Sequence, residues 1–198
     1  MLQTVSAALL LVIASLDAAQ QKTTAPKPEA KKTDQRVNPN AATLADFVKR
    51  VEGYVELHKK LEATLPKLPA QTDPYQIDTH QRAMLRLIQE ARKTAKQGDL
   101  FTPAMQRLVR GLLGPVFSGP DGRQLKAEIL DNEYKGSVKV AVNARYPDEV
   151  PISTVPPQVL AQLPKLPEEL EYRFIHTNMI LFDSHAHLIA DYVERAFQ

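Results

Sequence analysis

Apolar residues recur every three or four positions through the first half of the chain, which is the spacing of amphipathic helices. The first such stretch begins near Thr43, where Thr43 and Asp46 approximate a capping box, and it ends at Pro66. His58 falls on its apolar stripe, where a lone histidine is usually a core or interface residue rather than a metal ligand. The pattern predicts a long first helix over residues 43–65 with His58 on its buried side.

Three more helices are predicted between this stretch and the middle of the chain. The pairs Asp73-Pro74 and Thr102-Pro103 each combine a capping side chain with proline at the first helical position. Gly98 is placed to end the second helix, and Gly114-Pro115 to end the third. A short fourth helix is expected over Gln124–Asp131.

Period-two alternation replaces the helical period in the second half. From Val138 to Val142 every second residue is valine, which indicates a half-buried strand. Two extended runs, Leu170–His176 and Met179–Asp183, flank Thr177-Asn178, and they predict a hairpin in which Asn178 takes the positive φ. The three strands together would form a small antiparallel sheet.

Helical spacing returns after the hairpin and predicts a final helix that covers the sheet, through Leu188, Ile189, Tyr192, Val193 and Phe197. A short helix is also expected at Pro156–Leu163, inside a proline-rich connector. The expected fold class is therefore α+β. It has three to four N-terminal helices packed with a C-terminal antiparallel sheet of about three strands and a final helix.

The N-terminal region is distinct from this domain. Residues 1–19 contain an apolar run of the length found in signal peptides, and the run is too short to span a bilayer. A permanent signal anchor and a buried N-terminal helix are the alternatives. Residues 20–41 are rich in lysine and proline without an apolar period, which is typical of a disordered linker. A single α+β domain is then expected over residues 42–198.

Composition excludes several classes of function. The chain has no cysteine, which rules out disulfides, thiolate metal sites and a cysteine nucleophile. From Ala42 onward 20 basic and 20 acidic side chains balance, so no concentrated basic face for nucleic acid is expected. The sequence also lacks a glycine-rich phosphate loop and a nucleophile elbow. No cofactor is therefore expected.

The segment DSHAHL, Asp183–Leu188, has the residues with the most suggestive chemistry. His185 and His187 have the His-x-His spacing that holds a divalent cation in amidohydrolase-type barrels, and Asp183 is the candidate third ligand. Such a barrel needs about 250 residues, and only eleven residues follow His187. On a helix capped by Ser184 the two imidazoles would also point to different sides. The favoured interpretation is therefore that the segment holds no metal.

Three segments taken together resemble a family of uncharacterised exported bacterial proteins: KQGDLFTPAMQRLVRGLL, VNARYPDEVPISTVPPQVLAQLPKLPEELEYRF and ILFDSHAHLIADYV. The resemblance covers Asp73–Phe197, and LPKLPEELEYRF is its most specific piece. It implies export and a shared fold, and no activity comes with it. The family pattern has other residues where this chain has His185 and His187, so no catalytic residue is carried over.

These observations favour an exported protein, periplasmic or extracellular, with a structural or binding role in the cell envelope rather than an enzyme. The expected partner is another protein or an envelope component, and membrane contact is expected only through an uncleaved N-terminal segment. The alternative is a small metal-dependent hydrolase that uses Asp183, His185 and His187 as ligands.

Overall fold

The structure is a computed structural model, and it describes residues 38–130 and 138–197. The expected signal peptide at 1–19 and most of the linker at 20–41 lie outside the described residues. Eight elements belong to one unit, Val37–Gln198. They are α1 (Pro39–Glu62), α2 (Pro74–Ala91), α3 (Pro103–Ser118), α4 (Gly122–Leu130), α5 (Pro157–Leu160), β1 (Leu170–Ile175), β2 (Asn178–Asp183) and β3 (Leu188–Val193).

The starts of α2 and α3 confirm the predictions from the sequence. The Asp73 side chain accepts the backbone N–H of Gln76 at 2.7 Å, and the Gln76 side chain accepts the N–H of Asp73 at 3.1 Å, which completes a capping box. The Thr102 hydroxyl accepts the backbone N–H of Met105 at 3.3 Å. Proline follows each cap, where its missing N–H costs nothing.

The start of α1 differs from the prediction, because the helix begins at Pro39 rather than near Thr43. The Asn38 side chain accepts the N–H of Asn40 at 3.0 Å and caps the helix. The Thr43 hydroxyl instead donates to the Pro39 carbonyl at 2.8 Å inside the first turn. A proline one position after an asparagine was therefore the start signal, and the capping box at Thr43 was wrong.

The end of α3 also differs, because the helix continues through Gly114-Pro115 to Ser118. Pro115 lies on the exposed side, where the carbonyl that loses its intrahelical partner can be hydrated. Leu113 and Phe117, on either side of it, are buried and hold this turn against the core. The packing of Leu113 and Phe117 therefore outweighs the tendency of Gly114-Pro115 to end the helix.

The hairpin of β1 and β2 confirms the prediction in its strands and its buried face. Both strands are antiparallel neighbours, and Ile175 pairs with Asn178 at the turn. The positive φ falls on His176, at 54°, instead of Asn178. Tyr172, Phe174, Met179 and Leu181 face the helices and belong to the main core, as predicted.

The third strand is β3, so the predicted final helix and the predicted strand at Val138–Val142 are both wrong. β3 pairs antiparallel with β2, and the register shifts between Leu181 and Phe182, which leaves Ala190 as an extra residue. Nearly all of β3 is buried. A strand buried on both faces shows no alternation, and a short apolar run of this kind cannot be told from a helix by its period.

Chain segments outside the three strands cover the rest of the sheet. The face away from the helices carries Ile180, Phe182 and Ile189, and Tyr146 packs on it together with Val150, Val138 and Val140. The outer edge of β3 pairs with residues 143–146, where Arg145 lies opposite Leu188. Three backbone hydrogen bonds of 2.8 to 2.9 Å form this pairing: Asn143 N–H to the Ile189 carbonyl, Ile189 N–H to the Ala144 carbonyl and Tyr146 N–H to the His187 carbonyl. The outer edge of β1 meets Ser153, whose hydroxyl accepts the N–H of Phe174 at 2.9 Å and donates to its carbonyl at 3.0 Å. Covered edges offer fewer free backbone groups to which another chain could pair.

The described ranges 38–130 and 138–197 contain no helix with the length and apolar character needed to cross a membrane.

Candidate metal centre

Three polar side chains on successive turns of α1 face the connection between β2 and β3. Tyr54, His58 and Glu62 lie four residues apart, which places them in one row on a helix. Tyr54 and His58 are buried. Glu62 lies at the end of the helix, and its side chain is 33% exposed. The row therefore runs from the core to the surface.

Asp183, at the end of β2, is fully buried and receives three hydrogen-bonding groups. Its Oδ1 accepts the backbone N–H of Ala186 at 2.9 Å, a bond that closes the turn between the strands. Its Oδ2 accepts the Tyr54 hydroxyl at 2.6 Å and lies 2.7 Å from His58 Nδ1. The contact between His58 Nδ1 and Oδ2 is a hydrogen bond in which Nδ1 donates when the ring hydrogen lies on that nitrogen.

The other ring nitrogen of His58, Nε2, is the chemically distinctive atom of this region. It is one of five buried side-chain nitrogen or oxygen atoms without a hydrogen-bond partner among the described residues. Glu62 Oε2 lies 3.6 Å away, beyond an ordinary hydrogen bond. Buried polar atoms are rarely left without a partner in proteins, so this atom needs an explanation.

His185 completes a cluster around that atom. Its Nδ1 lies 3.0 Å from Glu62 Oε1, and its ring centroid lies 5.3 Å from that of His58. One donor atom each from His58, Glu62 and His185 lies within 4.8 Å of the others. The His185 side chain is 43% exposed, so the cluster opens to solvent on the side of Glu62 and His185.

The electrostatic setting favours a positive charge at His58. Burial alone would lower the pKa of His58, but its bond to Asp183 and the charges of Asp183 and Glu62 outweigh burial and raise it. Burial, followed by the charge of Asp183, raises the pKa of Tyr54 well above its ordinary value, so its hydroxyl remains a donor. Without a metal, a second proton on His58 can supply this positive charge.

A cleft of about 440 Å³ adjoins the cluster on the solvent side of Glu62. Lys59, Lys67 and His80 line it. Lys59 also forms an ion pair with the buried Glu169 at 2.9 Å. Burial opposes the charge of Glu169, but the bond to Lys59 keeps the pKa of Glu169 below its usual value. The cleft gives small molecules access to the Glu62 side of the cluster.

The structure separates the three residues of the sequence-based alternative, Asp183, His185 and His187. The oxygens of Asp183 are occupied and buried, so it supports the cluster from behind. His187 lies elsewhere, with its Nε2 at 3.7 Å from Asp148 Oδ1 and its ring against Tyr146. Of these three residues, only His185 belongs to the cluster with His58 and Glu62.

His58 and Glu62 were not predicted from the sequence as partners of His185. The spacing of His58 and Glu62, four residues apart on one helix, was visible and is a common arrangement for two ligands. Their third member, however, lies more than 120 residues further along the chain. No local pattern indicates that contact.

His187 belongs to a second polar cluster, which is an ion-pair network. Arg145 Nη2 lies 2.9 Å from Asp78 and 2.8 Å from Asp148, and Arg82 Nε lies 2.7 Å from Asp78. Burial and the nearby Arg145 lower the pKa of His187. This network ties α2 to the segment that covers the edge of β3.

Comparison with known proteins found no match for this chain among protein-family models, curated proteins or solved structures. The cluster formed by His58, Glu62 and His185 is therefore the feature from which a function can be proposed.

Proposed function

We propose that this protein binds a divalent transition metal ion, zinc foremost, through His58, Glu62 and His185. The observation that carries the proposal is His58 Nε2, a buried nitrogen without a hydrogen-bond partner. This atom lies beside the possible metal-ligating atoms of Glu62 and His185. Leaving such an atom unpaired costs about 1 to 3 kcal/mol, and coordination to a metal would remove that cost.

The spacing of the donors supports coordination of a single ion. Tetrahedral ligands at about 2.1 Å from zinc are separated by about 3.4 Å. His58 Nε2 lies 3.6 Å from Glu62 Oε2 and His185 Nδ1 lies 3.0 Å from Glu62 Oε1, so each histidine is close to a different oxygen of the carboxylate. One ligand atom from each of the three residues lies within 4.8 Å of the others, which is somewhat wider than the tetrahedral spacing. Glu62 and His185 are partly exposed, so small rotations of their side chains can close the remaining gap.

The donor types support zinc and narrow the alternatives. Two imidazoles and one carboxylate form a common zinc set, and the same set also suits ferrous iron. Calcium and magnesium prefer sets made of oxygen alone, which makes them poor candidates. The ligands differ from the set considered from sequence, since only His185 is shared.

The proposal includes a binding role for an exported protein. Export is favoured by the apolar run in residues 1–19, and a metal that joins α1 to the turn between β2 and β3 would stabilise the folded domain. A role in the cell envelope remains part of the proposal.

A metal-dependent hydrolase is the second candidate, and the exposure of the site favours it. Catalytic zinc sites use three protein ligands and leave a position open for water, whereas structural sites are closed by four. The cluster has three ligands and is open on the side of Glu62 and His185, beside the cleft. Zinc-dependent cleavage of an activated aryl ester, lost in Glu62→Gln, would support this use over a structural one.

The test of metal binding is elemental analysis of the purified protein, followed by zinc titration of the chelator-treated protein in a calorimeter. We expect about one zinc per chain and at least a 100-fold loss of affinity in His185→Ala. His187→Asn is the matched control, because it removes a neighbouring histidine outside the cluster. If the wild-type protein takes up no zinc, or His187→Asn weakens binding as much as His185→Ala, the proposal is wrong.

A further inference from the structure

We infer that Asp183 is a positioning residue that orients both histidine ligands at once, and that Tyr54 moderates its effect. The inference rests on the proposed function, since it concerns the same metal centre. Asp183 contributes no metal-binding atom. It holds the ring of His58 directly and holds the turn that carries His185 through a backbone hydrogen bond.

The direct contact with His58 determines which nitrogen can bind a metal. A metal is bound by a ring nitrogen with a free lone pair, so the hydrogen must reside on the other nitrogen. His58 Nδ1 lies 2.7 Å from Asp183 Oδ2, while Nε2 faces Glu62. The carboxylate therefore keeps the hydrogen on Nδ1 and leaves Nε2 free, as carboxylates behind metal-bound histidines do.

The second contact connects Asp183 to His185. Asp183 Oδ1 accepts the N–H of Ala186 at 2.9 Å, which is the residue directly after His185. Because that bond closes the turn, it limits where the His185 ring can lie relative to α1. One buried carboxylate thus fixes the distance between two ligands that come from α1 and from the β2–β3 turn.

Tyr54 shares the oxygen that holds His58. Its hydroxyl donates to Asp183 Oδ2 at 2.6 Å, the same atom that faces His58 Nδ1. Arg92 lies over the Tyr54 ring, with 4.8 Å between its guanidinium carbon and the ring centroid. The Tyr54 hydroxyl draws negative charge away from the hydrogen bond between Asp183 and His58. Removal of the hydroxyl should therefore strengthen that hydrogen bond.

Asp183→Asn gives a specific expectation because the two ends of the amide differ. The backbone N–H of Ala186 cannot change into an acceptor, so the amide oxygen should turn toward it. The amide NH₂ would then face His58 Nδ1 and donate to it. The hydrogen of His58 would move to Nε2, and the lone pair that binds the metal would be lost.

The first measurement reads the hydrogen position directly in the metal-free protein. Nitrogen-15 spectra of labelled histidine distinguish the two neutral forms of the ring. They are recorded at increasing pH until the His58 signals no longer change, because, despite burial, the bond to Asp183 raises the pKa of His58. We expect hydrogen on Nδ1 of His58 in the wild type and on Nε2 in Asp183→Asn. A role limited to core packing would change stability and leave the ring form unaltered.

The second measurement is zinc affinity by calorimetry in the same proteins. Asp183→Asn should weaken binding about 10- to 100-fold, and Tyr54→Phe should tighten it. Equal affinity of Asp183→Asn and wild type would overturn the inference while the metal centre stood. If the wild type binds no zinc, the proposed function fails. A move of the His58 hydrogen from Nδ1 to Nε2 in Asp183→Asn would then still support the conclusion that Asp183 positions that ring.

A folding defect in Asp183→Asn would not end the test, because Tyr54→Phe removes a single hydroxyl and keeps the ring. A tenfold or greater loss of zinc affinity in Tyr54→Phe would contradict the inferred moderating role. Tighter binding, with hydrogen still on Nδ1 of His58, would support it, and unchanged binding would contradict it.

Discussion

Asp191, on β3, holds the loop before α3 with a single buried carboxylate. It accepts backbone N–H groups from Leu100 and Phe101, each at 2.8 Å, and from Gly98 at 3.1 and 3.2 Å. Gly98 has a φ of 93°, which glycine adopts without strain. The Asp191 side chain therefore satisfies backbone N–H groups of this loop, as the carbonyls of a neighbouring strand do in a sheet.

Replacement of Asp191 with alanine should destabilise the protein by about 3 kcal/mol or more, since several buried N–H groups lose their acceptor. Asp191→Asn keeps one acceptor oxygen and should fall between the wild type and the alanine variant. Urea denaturation would measure both differences in unfolding free energy, provided that the dependence of that free energy on urea concentration is the same in all three proteins. A loss below about 1 kcal/mol in the alanine variant would mean that water replaces the carboxylate.

His187 gives the folded state a defined response to acid. Its pKa is lowered by burial and by Arg145, with Asp148 and Asp78 opposing and Arg82 adding to the decrease. The folded state therefore prefers the neutral ring. As pH falls below about 6.5 the unfolded chain gains a proton that the folded chain resists, so this group reduces stability until the pH passes its folded pKa.

His187→Asn should abolish that part of the acid response, because asparagine does not titrate. Asparagine also tolerates the φ of 51° found at this position. The measurement is the difference in unfolding free energy between the two proteins from pH 8 to 5, with chelator present. The difference should grow in favour of the variant as pH falls, whereas a constant difference would contradict the prediction.

Where a cap and a proline coincide, the helix start was predicted correctly at Asp73 and Thr102, although the same signal at Asn38-Pro39 was missed. Local signals in the sequence failed at β3, whose residues face two cores and so lack the alternation of a half-buried strand. The alternating valines from Val138 predicted a strand. In the structure Val138 and Val140 pack on the second face of the sheet without pairing. Burial alone can therefore produce an alternating pattern.

Two glycines in the helices, Gly53 and Gly122, should respond in opposite ways to substitution by alanine. A Cβ at Gly53, in α1, would meet no atom within 4 Å, whereas one at Gly122, at the start of α4, would lie 2.0 Å from the Phe117 carbonyl oxygen. Gly53→Ala should therefore stabilise by about 0.5 to 1 kcal/mol through helix propensity. Gly122→Ala should destabilise by about 1 to 3 kcal/mol because backbone must shift.

Thermal and urea denaturation of the two alanine variants check this pair. Equal effects at the two positions would show that the junction between α3 and α4 adjusts freely, which contradicts the close approach of Gly122 to Phe117.

At the scale of the whole molecule, the sheet brings together residues that the chain keeps far apart. Asp183 of β2 contacts Tyr54 and His58 of α1, across separations of 129 and 125 residues. Sequence patterns report on neighbours within a turn or a strand, so they predicted the α+β class, the helices of the first half and the β1–β2 hairpin, but could not predict β3 or this cluster. The proposed metal centre depends on contacts that form only in the assembled fold.

The C-terminal residues close the core as well as the sheet. Phe197 packs against Phe117 of α3 and Phe174 of β1, with ring centroids 4.4 and 5.4 Å apart. Phe197→Ala should cost about 3 to 5 kcal/mol, the usual range for a buried phenylalanine. Because a domain of this size has about 5 to 15 kcal/mol in total, this variant should fold with a much lower denaturation midpoint.

A chain that ends at Ala186 should not fold, because it loses far more than one ring. It lacks β3, which exposes the second edge of β2 and removes Asp191 from the loop before α3. The remaining two-stranded hairpin is marginal without a third strand. Circular dichroism and proton NMR should show helix content without a cooperative transition. A cooperative midpoint near that of the full chain would instead mean that α1, α2 and α3 form the core alone, and that the sheet is peripheral to the stability of the protein.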